Sequence, residues 1–229
     1  MQNFNAPQLQ FSRYETGPNP EYSIIWMHGL GDEGASFHAL VSSEFDLTGL
    51  PPIRFIFPNA PERPVTAHSW LPCRAWYDIM ADFDEGDPED EQGILDSEGL
   101  IHILINNEKI KGIKSENIFL AGFSQGAAMA VHTGLSYYEK LGGIICLSGY
   151  VPMRPKFAER VSQENKDTPV FMAHGNEDPV VPFKRGSLSK DTLESLGYKV
   201  EWHAYPMDHT MAWDEVQDMI AWLKPLMNK

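Results

Sequence analysis

The amino-acid sequence predicts one α/β domain, residues 1–229, built on a mostly parallel open sheet with helices on both faces. Three observations carry that expectation. Short apolar runs alternate along the chain with stretches whose apolar residues recur at helical spacing. At 229 residues the chain has an ordinary length for a single domain of this kind. Finally, a glycine-flanked serine, Gly122-Phe123-Ser124-Gln125-Gly126, stands at a strand-to-helix junction.

Taken in order, Gln8–Tyr14 reads as a strand expected to pair antiparallel at an edge of the sheet. The apolar run Ser23–Met27 is the next strand, followed by a helix over Ala35–Phe45 and a strand over Ile53–Phe57. After a long interruption, Gly93–Ile110 has helical spacing and leads to the strand Ile118–Gly122 and the helix Gln125–Tyr138. Strands Gly143–Leu147 and Val170–Ala173 precede the helix Phe183–Leu196. The strand Lys199–Ala204 and the helix Met211–Met227 close the chain, the latter with Trp213, Val216, Ile220 and Leu223 near one face.

The interruption, Pro58–Gln92, is rich in proline and aromatics. A segment of this length without regular structure is usually functional or mobile. Trp70, Leu71, Trp76, Tyr77, Ile79 and Met80 are too apolar for an idle surface loop, so they either plug the core or line an apolar groove. Trp70, Leu71, Trp76, Ile79 and Met80 are the groove candidates. The segment ends in an acidic run, Asp82, Asp84, Glu85, Asp87, Glu89, Asp90 and Glu91, expected to form a solvated loop. It is no EF-hand, because Gly86 occupies the fifth position of such a loop, where a ligand is required.

Hydrophobic content of 42% and charged content of 22% fit a soluble globular protein. A net charge of −14 argues against nucleic acid and against docking on anionic membranes. Met1–Arg13 has neither an apolar run nor a basic start, and no apolar stretch is long enough to span a bilayer. Two cysteines, Cys73 and Cys146, make no disulfide framework, and Cys146 reads as a small core residue. A reducing cytoplasm is the expected compartment.

Gly-x-Ser-x-Gly between a strand and a helix is the nucleophile elbow, a turn so sharp that glycine is needed on both sides of the serine. Such a serine cannot attack unaided; it needs a histidine base and a carboxylate that orients the base. In enzymes with this elbow the chain order is serine, then Asp or Glu, then histidine. Downstream of Ser124, His132 lies within a helix, His203 within a strand, and His174 at a strand end where its ring can hold loop backbone. Only His209 lies in a loop between a strand and a helix, and it is the candidate base. Glu177 and Asp178 both qualify as its orienter by position; Asp178 is preferred because Pro179 fixes the backbone after it. The amide of Gln125, at a helix start, is one expected oxyanion donor. The second is expected from the glycine-rich loop His28-Gly29-Leu30-Gly31-Asp32, which matches neither dinucleotide nor Walker phosphate patterns.

These blocks resemble those of a known family. The resemblance runs almost end to end and rests on His28 to Asp32, Pro58-Asn59-Ala60-Pro61, Ala75-Trp76-Tyr77-Asp78, Gly122 to Gly126, Ala173-His174-Gly175 with Asp178-Pro179-Val180-Val181-Pro182, and Tyr205-Pro206-Met207 with His209. The chain is similar to the carboxylesterase and acyl-protein thioesterase group of α/β-hydrolases, sometimes grouped with small phospholipases. The resemblance implies an α/β-hydrolase fold, a Ser124–Asp178–His209 triad, and an oxyanion hole from the Leu30 and Gln125 amides. It implies hydrolysis of carboxylic esters or thioesters, some members removing fatty acyl groups from protein cysteines, with no metal or organic cofactor. Several members dimerise, so a homodimer is an expectation.

Two departures stand out. The chain has His68-Ser69-Trp70 where the family often has Asn and small residues, which bears on acyl preference. Asp208 precedes the histidine; a carboxylate there either favours the imidazolium or, pointing to solvent, does little. The expected function is serine ester or thioester hydrolysis through an acyl-enzyme. A lysophospholipase would share this chemistry. A non-catalytic binding protein on the same scaffold would be expected to lack a triad member or the elbow, and this chain keeps them all.

Overall fold

The computed structural model describes residues 9–80 and 88–228. Strands β1 (Phe11–Glu15), β2 (Tyr22–Met27), β3 (Ile53–Pro58), β6 (Ile118–Phe123), β7 (Gly143–Leu147), β8 (Val170–Gly175) and β9 (Val200–Tyr205) form a 7-stranded sheet in the order β1-β3-β2-β6-β7-β8-β9. Only β1 runs antiparallel, against β3 at the edge, and its exposed and half-buried residues alternate as an edge strand's should. Its expected first residue, Gln8, lies outside the described residues. The remaining pairings are parallel.

Burial on both faces explains why β2, β6, β7 and β8 read as unbroken apolar runs rather than alternating ones. Alternate residues serve opposite layers. Ile25, Leu120, Ile144 and Met172 face one core, under α2 (Glu91–Ile110), α3 (Gln125–Ser136) and α4 (Phe183–Ser195). Ile24, Phe119, Ile145 and Phe171 face the other, under α1 (Gly34–Glu44) and α5 (Trp213–Met227). Cys146 lies in the first core, and burial pushes its thiol up to about 12, so it is inert packing. In α5 the buried face comprises Val216, Met219, Ile220 and Leu223. Trp213, expected on that face, is exposed, because it occupies the first helical position and Met219 fills the stripe instead. No helix among the described residues is long and apolar enough to cross a membrane.

The segment 58–92 contains a hairpin that the sequence does not suggest: β4 (Glu62–Val65) pairs antiparallel with β5 (Leu71–Arg74). Pro64 faces Pro72 in its register, and prolines argue against strands unless both lie at edges, as here. Its turn also lacks glycine; Ser69 and Trp70 adopt left-handed φ values of 55° and 63° themselves. Beyond the hairpin, Trp76, Tyr77 and Ile79 are buried in the first core, whereas Trp70, Leu71 and Met80 are exposed. Trp76 and Ile79 are therefore core plugs rather than groove residues, while Trp70, Leu71 and Met80 remain at the surface. The plugs follow a strand that leads inward, whereas Trp70 and Leu71 stand at the hairpin's turn. In the acidic run, Asp82, Asp84, Glu85, Gly86 and Asp87 lie outside the described residues. Its far end is not an idle solvated loop: Asp90 caps α2 through the Gly93 amide (2.9 Å), and Glu89 accepts from the Met153 amide (2.7 Å).

Glu215, at the third position of α5, is fully buried and accepts only a long bond from the Ala212 amide (3.3 Å). Burial pushes its carboxyl up to about 8. The unfolded chain loses that proton near 4.5, so between pH 4.5 and 8 unfolding releases it and native stability falls as pH rises. Glu215→Gln keeps the capping geometry and removes this slope. The variant should gain little at pH 4.5 and progressively more towards pH 8, by up to about 1.4 kcal/mol per pH unit. Urea unfolding of both proteins at several pH values checks this; a gain that does not change with pH would contradict it.

Candidate active site

In the sheet register, Met27 of β2, Gly122 of β6 and Cys146 of β7 lie side by side, so these strands end at one edge. Gly175 of β8 pairs with Tyr205 of β9 at that same carboxyl end. The loops carrying Leu30, Ser124, Asp178 and His209 consequently emerge together, where open α/β sheets bind ligands.

Ser124 sits at φ 55°, ψ −120°, a strained conformation for a residue with a side chain. Neighbouring contacts enforce it. A Cβ on Gly126 would meet Met27 O at 2.2 Å, and one on Gly122 would meet the Gly126 backbone at 2.3 Å. The strand and helix can only approach this closely without those atoms, and the turn between them must be sharp. Its amide is held by Leu147 O (2.9 Å).

The side chain of Ser124 lies 2.9 Å from His209 Nε2, and His209 Nδ1 lies 2.7 Å from Asp178 Oδ2. A carboxylate oxygen only accepts, so Nδ1 carries the hydrogen and Nε2 is left to accept from the serine hydroxyl. Asp178 is buried, and its other oxygen takes the amides of Val180 (2.8 Å) and Val181 (2.9 Å), which fix its orientation. Glu177, the alternative by position, points to solvent. His174 Nε2 donates to Val181 O (2.9 Å) and lies 3.4 Å from Asp178 Oδ2, holding the loop as expected of its strand-end position. Burial lowers its pKa, so it serves as a neutral donor. The two loops touch directly: a Cβ on Gly175 would meet Met207 O at 2.3 Å. His132 is buried within α3, beside Glu98 of α2 (3.8 Å), and His203 lies within β9. Asp208 is exposed.

Gln125 is the first residue of α3, so its N–H has no intrahelical acceptor. Across from it, His28 is fully buried with Nδ1 donating to Gly29 O (2.7 Å) and Nε2 accepting from the Ala60 amide (3.0 Å). Burial lowers its pKa, in keeping with the neutral tautomer that these two bonds require. In the same loop Gly31 takes φ +77° and donates its amide to Arg74 O (2.8 Å) on the hairpin.

One connection was not legible beforehand. Trp76 donates its indole N–H to His28 O (2.9 Å) and its backbone amide to Gln125 Oε1 (2.8 Å). The Gln125 amide group then reaches Tyr77 O (2.7 Å). Trp76 thus braces the glycine loop against the elbow, spacing the two expected oxyanion donors. No local pattern could signal a bond between residues 49 apart.

An open, mostly parallel sheet carrying serine, histidine and aspartate in hydrogen-bond sequence at its carboxyl edge defines an α/β-hydrolase. A family model described as phospholipase/carboxylesterase matches residues 15–227, and the chain belongs to that family. It is 38% identical over 205 residues to a protein named acyl-protein thioesterase 1 from Yarrowia lipolytica, covering 88% of this chain and 90% of that one. It is 34% identical over 203 residues to the carboxylesterase SOBER1 of Arabidopsis thaliana, covering 88% and 89%. The crystal structure of that Arabidopsis protein superposes with a TM-score of 0.84 at 32% identity, over 90% of this chain and 98% of that one. Acyl-protein thioesterase 2 of Zea mays superposes with a TM-score of 0.83 at 30% identity, over 94% and 99%. With such relatives along most of its length, the chain is an ester or thioester hydrolase.

Proposed function

We propose that Ser124 attacks the acyl carbonyl while His209 Nε2 takes its proton and Asp178 holds the imidazole. The continuous relay of 2.9 and 2.7 Å ending on a strained, half-buried serine is the observation that carries this reading. The tetrahedral oxygen is received by the Leu30 and Gln125 amides, the second aided by the α3 dipole. His209 then protonates the departing alcohol or thiol. Water, activated by the same imidazole, releases the acid from the acyl-enzyme.

The acyl chain lies on the hairpin side of Ser124. Trp70, Leu71 and Met80 support this, being large apolar side chains left exposed there at 66%, 67% and 45%. The Gly31 amide bonded to Arg74 O supports it too, by seating the hairpin beside the oxyanion loop. Relatives named acyl-protein thioesterase point to acylated proteins as substrates alongside small esters. A free Cys73 and a free, core Cys146 suit a reducing cytoplasm. The reading is tested by kcat/KM along matched series of straight-chain esters and thioesters. A rise with chain length that Trp70→Ala and Leu71→Ala both flatten is the expected result. A short-chain optimum indifferent to these substitutions would remove the hairpin from the acyl site.

A further inference from the structure

A cleft opens beside His209. It encloses about 340 Å³ between α1 and the loop after β9, and has apolar walls from Phe37, Leu40, Phe123 and Met211. His209 itself lines it, with the Phe123 ring 4.8 Å from the imidazole. Phe37, Leu40, Phe123 and Met211 belong to the core layer beneath α1 and α5, whereas Leu30 and the hairpin's Cys73 pack on the other layer. The cleft therefore lies on the other core layer from the hairpin.

We propose that this cleft is the leaving-group subsite. The assignment rests on the triad reading above. Proton accounting selects the side: as the Ser124 Oγ–C bond forms, the serine proton moves to His209 Nε2. It must then pass to the oxygen or sulfur whose bond to the acyl carbon breaks. That atom has to lie against His209, and the group it carries continues into the recess that His209 borders. A volume near the lower end of ligand pockets fits a benzyl- or naphthyl-sized alcohol or an equivalent apolar stretch next to a thioester. Among the described residues that line it, Asp32 is the one carboxylate, with an oxygen tied to Ser36 Oγ (2.6 Å) and the Glu33 amide (2.8 Å), and none is Lys or Arg. The subsite thus takes neutral or cationic apolar leaving groups and disfavours anionic ones.

The test uses butyrate esters of methanol, benzyl alcohol, 2-naphthylmethanol and 4-(hydroxymethyl)benzoate, whose alcohols are of similar basicity. In the wild-type enzyme, kcat/KM should rise by about tenfold or more from methyl to naphthylmethyl and drop for the anionic ester. Leu40→Trp, on half-exposed α1, and Met211→Trp, on the facing loop, fill the cleft from independent positions. Each should collapse the naphthylmethyl-to-methyl ratio towards one. Deacylation is a further readout: every ester of the series yields the same butyryl-enzyme, so a cleft that acts on the leaving group shifts acylation and not that common step. A flat wild-type series with measurable turnover, or a ratio untouched by both tryptophans, overturns the subsite and leaves the triad standing. Absence of turnover with every ester, methyl included, overturns both.

Discussion

Replacing Ser124 with alanine should lower kcat on the order of 10⁴- to 10⁶-fold while leaving the protein folded. The hydroxyl's bond to His209 Nε2 (2.9 Å) lies in the relay, not in the core. The close strand–helix approach that sets φ 55° depends on Gly122 and Gly126, which alanine at position 124 leaves in place. Serine and alanine carry the same backbone strain, so the melting temperature should move little. Whatever turnover remains measures what the oxyanion amides and substrate binding achieve without a nucleophile. Ester hydrolysis within tenfold of wild type in the folded variant would mean that the nucleophile is elsewhere.

The second large effect is expected from Asp178→Asn, on the order of 10⁴-fold in kcat with the geometry preserved. The reason is specific to this site. One carboxylate oxygen accepts from the Val180 and Val181 amides, and in the variant only the amide oxygen can take that place. The NH₂ group is then directed at His209 Nδ1, where Asp178 Oδ2 sat at 2.7 Å. Facing a donor, Nδ1 must accept, so the hydrogen moves to Nε2, which can no longer receive the serine proton. Raising the pH should restore part of the rate, because hydroxide takes the serine proton in place of the imidazole. A variant with near-wild-type kcat at neutral pH would show that Asp178 only shapes the loop.

Much of this was legible in the sequence, for identifiable reasons. The central strands bury both faces, so Ser23–Met27, Ile118–Gly122 and Gly143–Leu147 stand out as apolar runs with boundaries within a residue or so of those observed. The elbow is legible because its two glycines answer to direct backbone contacts. His209 is legible because its loop joins a strand to a helix at the carboxyl edge. The hairpin Glu62–Arg74 was not, since its paired prolines and glycine-free turn contradict the local signals for a strand and a tight turn. The sequence prefers Asp178 over Glu177 on the strength of Pro179, but the physical reason needs coordinates: only one of two adjacent carboxylates turns inward onto the Val180 and Val181 amides. The same holds for Trp76, whose bonds to His28 and Gln125 join segments far apart in the chain. Neither partner carries a sequence mark of that pairing.

The most direct test of the Ser124 relay is to catch its product. Wild-type protein mixed with a 4-nitrophenyl ester, quenched within the first turnover and digested, should yield one acylated peptide, with the acyl mass on Ser124. Nitrophenol should appear in a burst equal to the active sites. The Ser124→Ala protein should give neither. Steady hydrolysis without any adduct on Ser124, or an adduct on another residue that forms and decays at the turnover rate, would contradict the account.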